Sequence, residues 1–174
     1  MLERISRYLA TAIVDAAPGK TQSKNVLEYY IKVTLNFFAV VVLSVLVGVG
    51  CNIAPETITA LSSFVLLRMF SGGYHVKSLD ACVLITTCII VGIPLLSEYV
   101  QVESSVVTAV AAGLVLLFSP RNVQSTIKPR AYPWLKVISL VIVCSNLGIN
   151  SPIIAMTFMV QALLLIPKGG EITK

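Results

Sequence analysis

The sequence predicts an all-α fold: a polytopic membrane bundle of about six transmembrane helices, preceded by an amphipathic helix at the membrane interface. Three observations predict it. Hydrophobic residues make up 56% of the 174 residues and charged ones only 12%. Soluble domains carry roughly 25% charged residues, so this chain lacks the polar surface to stay in water. Six apolar runs near the ~20 residues that cross a bilayer lie at 29–49, 55–70, 79–96, 103–119, 135–149 and 152–166. Finally, six crossings put all 13 basic residues on one side, leaving the other only Glu56, Glu98 and Glu103.

The positive-inside rule makes the basic side cytoplasmic, with both termini on it. The net charge of +5 is thereby a topology signal, and nucleic acid is not an expected partner. Four spans with segments 2 and 5 re-entrant would mix the charges, so six is preferred. Residues 137–149 are short for a span, rising only ~20 Å as a helix, and would sit in thinned bilayer or deep in the bundle.

Taken in order, residues 1–25 form a cytoplasmic helix and turn. Leu2, Ile5, Leu9 and Ile13 share one helical face, while Glu3, Arg4 and Arg7 lie elsewhere. That pattern suits a helix lying on the bilayer; packing on the protein's own cytoplasmic face is the equal alternative. The mixed polarity around Glu3 shows no secretory signal peptide. Pro18-Gly19 supplies a turn, and Tyr29 and Tyr30 stand at the interface where span 1 begins. Pro55 and Glu56 open span 2. Pro94 marks the end of span 3. The longest inner loop, SPRNVQSTIKPRAYP (119–133), carries three prolines, and GINSP (148–152) is a tight outer turn. The bundle covers 29–166 and a short cytoplasmic tail 167–174, within a single domain of 1–174.

The chemistry concentrates in RMFSGGYHVKSLDAC, residues 68–82, which holds the single histidine, His75, seven residues before Cys82. On one straight helix they would be ~10 Å apart along the axis, so contact requires a turn. Ser71-Gly72-Gly73 breaks span 2, and Ser78 is a good N-cap for span 3, with Asp80 in its first turn. Cys82 then sits about one turn into span 3, and His75 can fold back over it. A thiolate is the reactive form of cysteine and is favoured by a helix N-terminus or a neighbouring imidazolium. In this arrangement His75 takes the proton from Cys82 and later delivers one to a leaving amine. Free N–H groups near Ser71, Gly72, Gly73 and the helix start would stabilise an oxyanion. Asp80 is a candidate orienter of the imidazole, although a helix-start carboxylate already has an ordinary explanation. Spacing alone also fits a headgroup-level histidine and an unrelated cysteine. Cys51, Cys88 and Cys144 read as small apolar filler. One histidine without clustered cysteines excludes a zinc site, and no cofactor is expected.

Arg68-x-x-x-Gly72-Gly73-x-His75, with Cys82 following, resembles the signature of the accessory gene regulator B peptidases, bacterial membrane endopeptidases that process quorum-sensing pheromone precursors. Ser119-Pro120 with Lys128-Pro129 resembles a second segment of that family; Asn122 departs from the acidic residue many members have there. The resemblance implies a substrate with an amphipathic leader, a central Cys or Ser, and an acidic tail. It implies that Cys82 attacks the carbonyl before the tail, forming a thioester that the precursor's own thiol displaces to close a thiolactone. An acidic tail would be drawn to the basic face, with Arg68, Lys77, Arg121, Lys128 and Arg130 as candidate contacts. For the more distant cations, membrane orientation and lipid headgroups explain the charge equally well. A homodimer is compatible with short spans, though no residue demonstrates one. The rival classes are a peptide exporter, against which stands the lack of an intramembrane ionisable pathway, and a non-catalytic scaffold, which would give Cys82 no privilege over Cys88.

Overall fold

A computed structural model describes residues 2–16, 23–73, 78–97, 99, 103–121 and 129–167. Its α-helices are α1 (Leu2–Ala16), α2 (Lys24–Gly50), α3 (Ala54–Ser71), α4 (Leu79–Ser97), α5 (Ser104–Phe118), α6 (Tyr132–Ile149) and α7 (Pro152–Leu163). Among the described residues no strand forms, and the only sheet-like pairing is an isolated parallel bridge between Gly72 and Arg121. Helices α2, α4 and α6 are long and apolar enough to cross a membrane; α5 and α7 are shorter apolar helices.

The six apolar runs fall on α2 to α7. Helix α7 ends at Leu163, short of the expected 166, and two helix starts moved for local reasons. Helix α2 starts at Lys24, ahead of the expected 29, and Glu28 there pairs with Lys32 one turn on at 2.7 Å. Helix α6 starts at Tyr132, inside the expected loop, with Pro133 in its first turn, where a missing N–H costs nothing. The punctuation of α3 follows expectation: Pro55 lies in its first turn, and it stops where Gly72 turns to φ 70°, a conformation that favours glycine. Ser78 accepts the Ala81 N–H through Oγ at 3.5 Å, starting α4.

Helix α3 is the shared wall of two cores. On one side Ala60, Leu61 and Phe64 meet Val40 of α2 and Val83 and Ile90 of α4. On the other, Leu67 meets Ala111 and Val115 of α5, Val143 of α6, and Phe158 and Ala162 of α7. The buried stripe of α2 is Val40, Ser44 and Gly48, small residues at four-residue spacing that allow close helix approach. A Cβ on Gly48 would lie 2.7 Å from Thr57 Oγ1.

The ends of the bundle are chemically distinct. The starts of α1 and α4 meet through the Leu2 N–H and Asp80 Oδ1 at 3.1 Å. The ends of α3, α5 and α7 meet through the Gly72–Arg121 bridge and a 2.8 Å bond from Arg121 Nη1 to the Leu165 carbonyl. At the opposite end, Asn146 Nδ2 donates to Thr108 Oγ1 at 2.9 Å and to the Ser151 carbonyl at 3.2 Å, and its Oδ1 accepts the Ser151 N–H.

Helix α1 packs on the bundle by its small residues rather than by its aliphatic row. Ser6 and Ala10 are its fully buried residues, while Ile5, Leu9 and Ile13 stay 37–41% exposed. Small side chains let α1 approach the bundle closely, and Leu2 alone of the predicted stripe packs against a core cluster. Helix α1 thus packs on the bundle through small residues while its aliphatic row points away from it, an arrangement that agrees with either reading of the helix.

Candidate active site

Cys82 is the fourth residue of α4, within its first turn, where backbone N–H groups and the helix dipole make the surroundings electropositive. Its N–H donates to the Ser78 carbonyl at 3.0 Å, so the side chain is placed by regular helix geometry. Cys51, Cys88 and Cys144 are exposed; Cys82 is the one buried cysteine of the four, 7% accessible.

Cys82 lines a cavity of about 230 Å³ between α2, α3 and α4, together with Thr86, Arg68, Phe64, Asn36, Phe37 and Met69. Phe37 and Met69 on its rim are exposed. Arg68 reaches this space from the last turn of α3, lining the same cavity as the cysteine. Its guanidinium carbon sits 5.6 Å over the Phe64 ring, and its Nη1 donates to Gln161 Oε1 at 3.3 Å.

Gln161 of α7 is fully buried and organises the turn after α3. Its Nε2 donates to the Gly72 carbonyl at 2.7 Å and to Ser71 Oγ at 3.1 Å. Ser71 Oγ also donates to the Gly72 carbonyl at 3.3 Å. The Arg121 N–H donates to the Ser71 carbonyl at 2.9 Å, and the Gly73 N–H to the Arg121 carbonyl at 3.2 Å. The two segments singled out in the sequence, 68–82 and 119–129, are thus brought together at their described ends.

This pairing takes up two of the N–H groups considered for an oxyanion. The Gly72 N–H donates to the Arg68 carbonyl at 3.0 Å and the Gly73 N–H to Arg121, so neither is free to serve an oxyanion. The turn closes on itself because buried backbone groups in an apolar bundle must find partners, and Ser71 is likewise occupied.

Arg121 uses its guanidinium to hold the Leu165 carbonyl, a structural duty, and Arg130 is exposed in the short 3₁₀ turn Pro129–Ala131. Asp80 accepts the Leu2 N–H. His75, Lys77 and Lys128 lie outside the described residues, and so does the meeting of His75 with Cys82. Among the described residues no group of three or more metal-ligating side chains occurs. Sequence reasoning missed Gln161 and Asn36. Each is an uncharged amide inside an apolar run, a signal that could have been read as a buried polar contact.

The family model described as Accessory gene regulator B matches residues 2–166 of the chain. No curated protein and no solved structure matches it.

Proposed function

From its membership of the accessory gene regulator B family, which gives it a role in processing the accessory gene regulator peptide of quorum sensing, we propose that this membrane protein is a cysteine endopeptidase. Cys82 is the nucleophile and His75 its general base. The thiolate attacks the carbonyl preceding the precursor's acidic tail, and the C–N bond breaks as His75 returns the proton to the departing amine. The remaining thioester is then attacked by the precursor's own thiol, which closes a thiolactone and releases the Cys82 thiol.

The observation that carries this reading is the placement of Cys82: the one buried cysteine, in the first turn of α4, on the wall of a cavity shared with Arg68. An apolar cavity suits an acyl-enzyme that must meet a peptide thiol before water. The bundle end carrying Arg4, Arg7, Arg68 and Arg121 faces the cytoplasm, where the basic residues attract an acidic tail. Arg68 holds the substrate closest to the reacting carbon, with Lys77, Arg121, Lys128 and Arg130 contributing field rather than individual contacts.

The test is processing of a synthetic candidate precursor, with an amphipathic leader, an internal cysteine and an acidic tail, by reconstituted wild type, Cys82→Ala, His75→Ala and Cys88→Ala. A peptidase loses cleavage in the first two variants and keeps it in Cys88→Ala. Normal processing by all of them would remove Cys82 and His75 from the chemistry, and no processing by any, wild type included, would leave a scaffold as the better account.

A further inference from the structure

Asn36 lies in the middle of an apolar stretch of α2, Leu35-Asn36-Phe37-Phe38, where each neighbour is hydrocarbon. Its side chain lines the cavity that Cys82 and Arg68 also line. The carboxamide oxygen is buried and has no hydrogen-bond partner among the described residues. A buried acceptor without a donor is unfavourable, all the more in a bundle where solvent does not compete. Polar side chains facing the interior of a membrane protein find partners on neighbouring helices, as Gln161 and Asn146 do here. Asn36 does not, although the hydroxyl-bearing Thr86 borders the same space.

A missing donor at the wall of the nucleophile's cavity is what a peptide substrate would bring. An extended peptide entering beside Cys82 carries a backbone N–H at each residue and loses water as it enters, so each N–H needs an acceptor. A lipid acyl chain filling the same space would leave the oxygen unsatisfied.

We propose that Asn36 is a substrate-binding residue whose carboxamide oxygen accepts a backbone N–H of the precursor next to the scissile bond. The assignment rests on the peptidase reading and adds to it the first contact from α2. It places the substrate's backbone between α2 and α4, with Arg68 of α3 on the third side of the cavity.

The experiment uses full-length protein in nanodiscs and a synthetic candidate precursor with an internal cysteine and an acidic tail, carrying single backbone N-methylations across the cleavage site. Wild type, Asn36→Leu and Cys82→Ala are compared for kcat/KM, pH profile and thermal unfolding. The expected result is a loss of about tenfold in kcat/KM for Asn36→Leu, the size of one hydrogen bond, with an unfolding temperature unchanged or raised. One N-methylated position should cost wild type a similar factor and cost Asn36→Leu nothing further, the signature of a shared contact. Wild-type kinetics in Asn36→Leu, equal N-methyl penalties in both proteins, or a displaced pH profile would each overturn the assignment. Failure of the peptidase reading looks different, because wild type and Cys82→Ala would then behave alike, and the assignment would fall with it.

Discussion

Gln161 Nε2 donates to the carbonyl oxygen of Gly72 at 2.7 Å, joining the interior of α7 to the turn that ends α3, 89 residues away in the chain. The same amide accepts from Arg68 at 3.3 Å. One uncharged side chain therefore fixes both the glycine turn and the guanidinium beside the nucleophile. Replacing it by leucine leaves the Gly72 carbonyl and Ser71 hydroxyl short of a partner in an apolar interior. Asn146→Leu, at the other end of the bundle, is the matched control. Each substitution should destabilise the protein by about 2 kcal/mol, measured by unfolding in detergent. Processing per folded molecule should fall in Gln161→Leu and stay near wild type in Asn146→Leu.

Asp80 separates two roles that its position allows. Its carboxylate accepts the Leu2 N–H at 3.1 Å and so ties α1 to the start of α4. Asp80→Asn keeps an acceptor oxygen there and should retain processing. Asp80→Ala should loosen α1, costing about 1 kcal/mol and speeding amide exchange at Leu2 to Ser6. Loss of processing in Asp80→Asn with α1 still protected would instead assign Asp80 to the orientation of His75.

Gly48 and Thr57 touch so closely that a Cβ on the glycine would stand 2.7 Å from the hydroxyl. Gly48→Ala should cost about 1–3 kcal/mol by overpacking, and Thr57→Ala in the same chain should recover part of it, since the two sites are in contact. Equal stabilities of the single and double variants, read from thermal unfolding, would count against this α2–α3 geometry.

The parts of the fold that could be read from the sequence share a cause. Six apolar runs bounded by Pro55, Gly72, Ser78 and Ser151 mark helices because span length and caps are local properties, legible without neighbours. The small-residue contact of α1 with the bundle was not legible. Ile5, Leu9 and Ile13 form the stronger amphipathic pattern, yet close approach to the bundle selected the small residues Ser6 and Ala10. Likewise, the glycines of 72–73 pointed to a turn but not to the partners of its N–H groups, because Arg121 arrives from a distant segment. Cys82 stood out by its position beside a helix start. Its burial and its cavity, and with them Asn36, depend on three helices converging, which no linear spacing records.

The central claim is that Cys82 carries the peptide during processing. The direct measurement is intact-protein mass spectrometry of the reconstituted enzyme after brief mixing with a precursor whose internal cysteine is replaced by alanine, so that ring closure cannot discharge the intermediate. Wild type and Cys88→Ala should gain the mass of the precursor without its acidic tail, removable by hydroxylamine and mapped to Cys82. Release of the tail with no such adduct on Cys82, or the same adduct on a Cys82→Ala protein, would contradict the account.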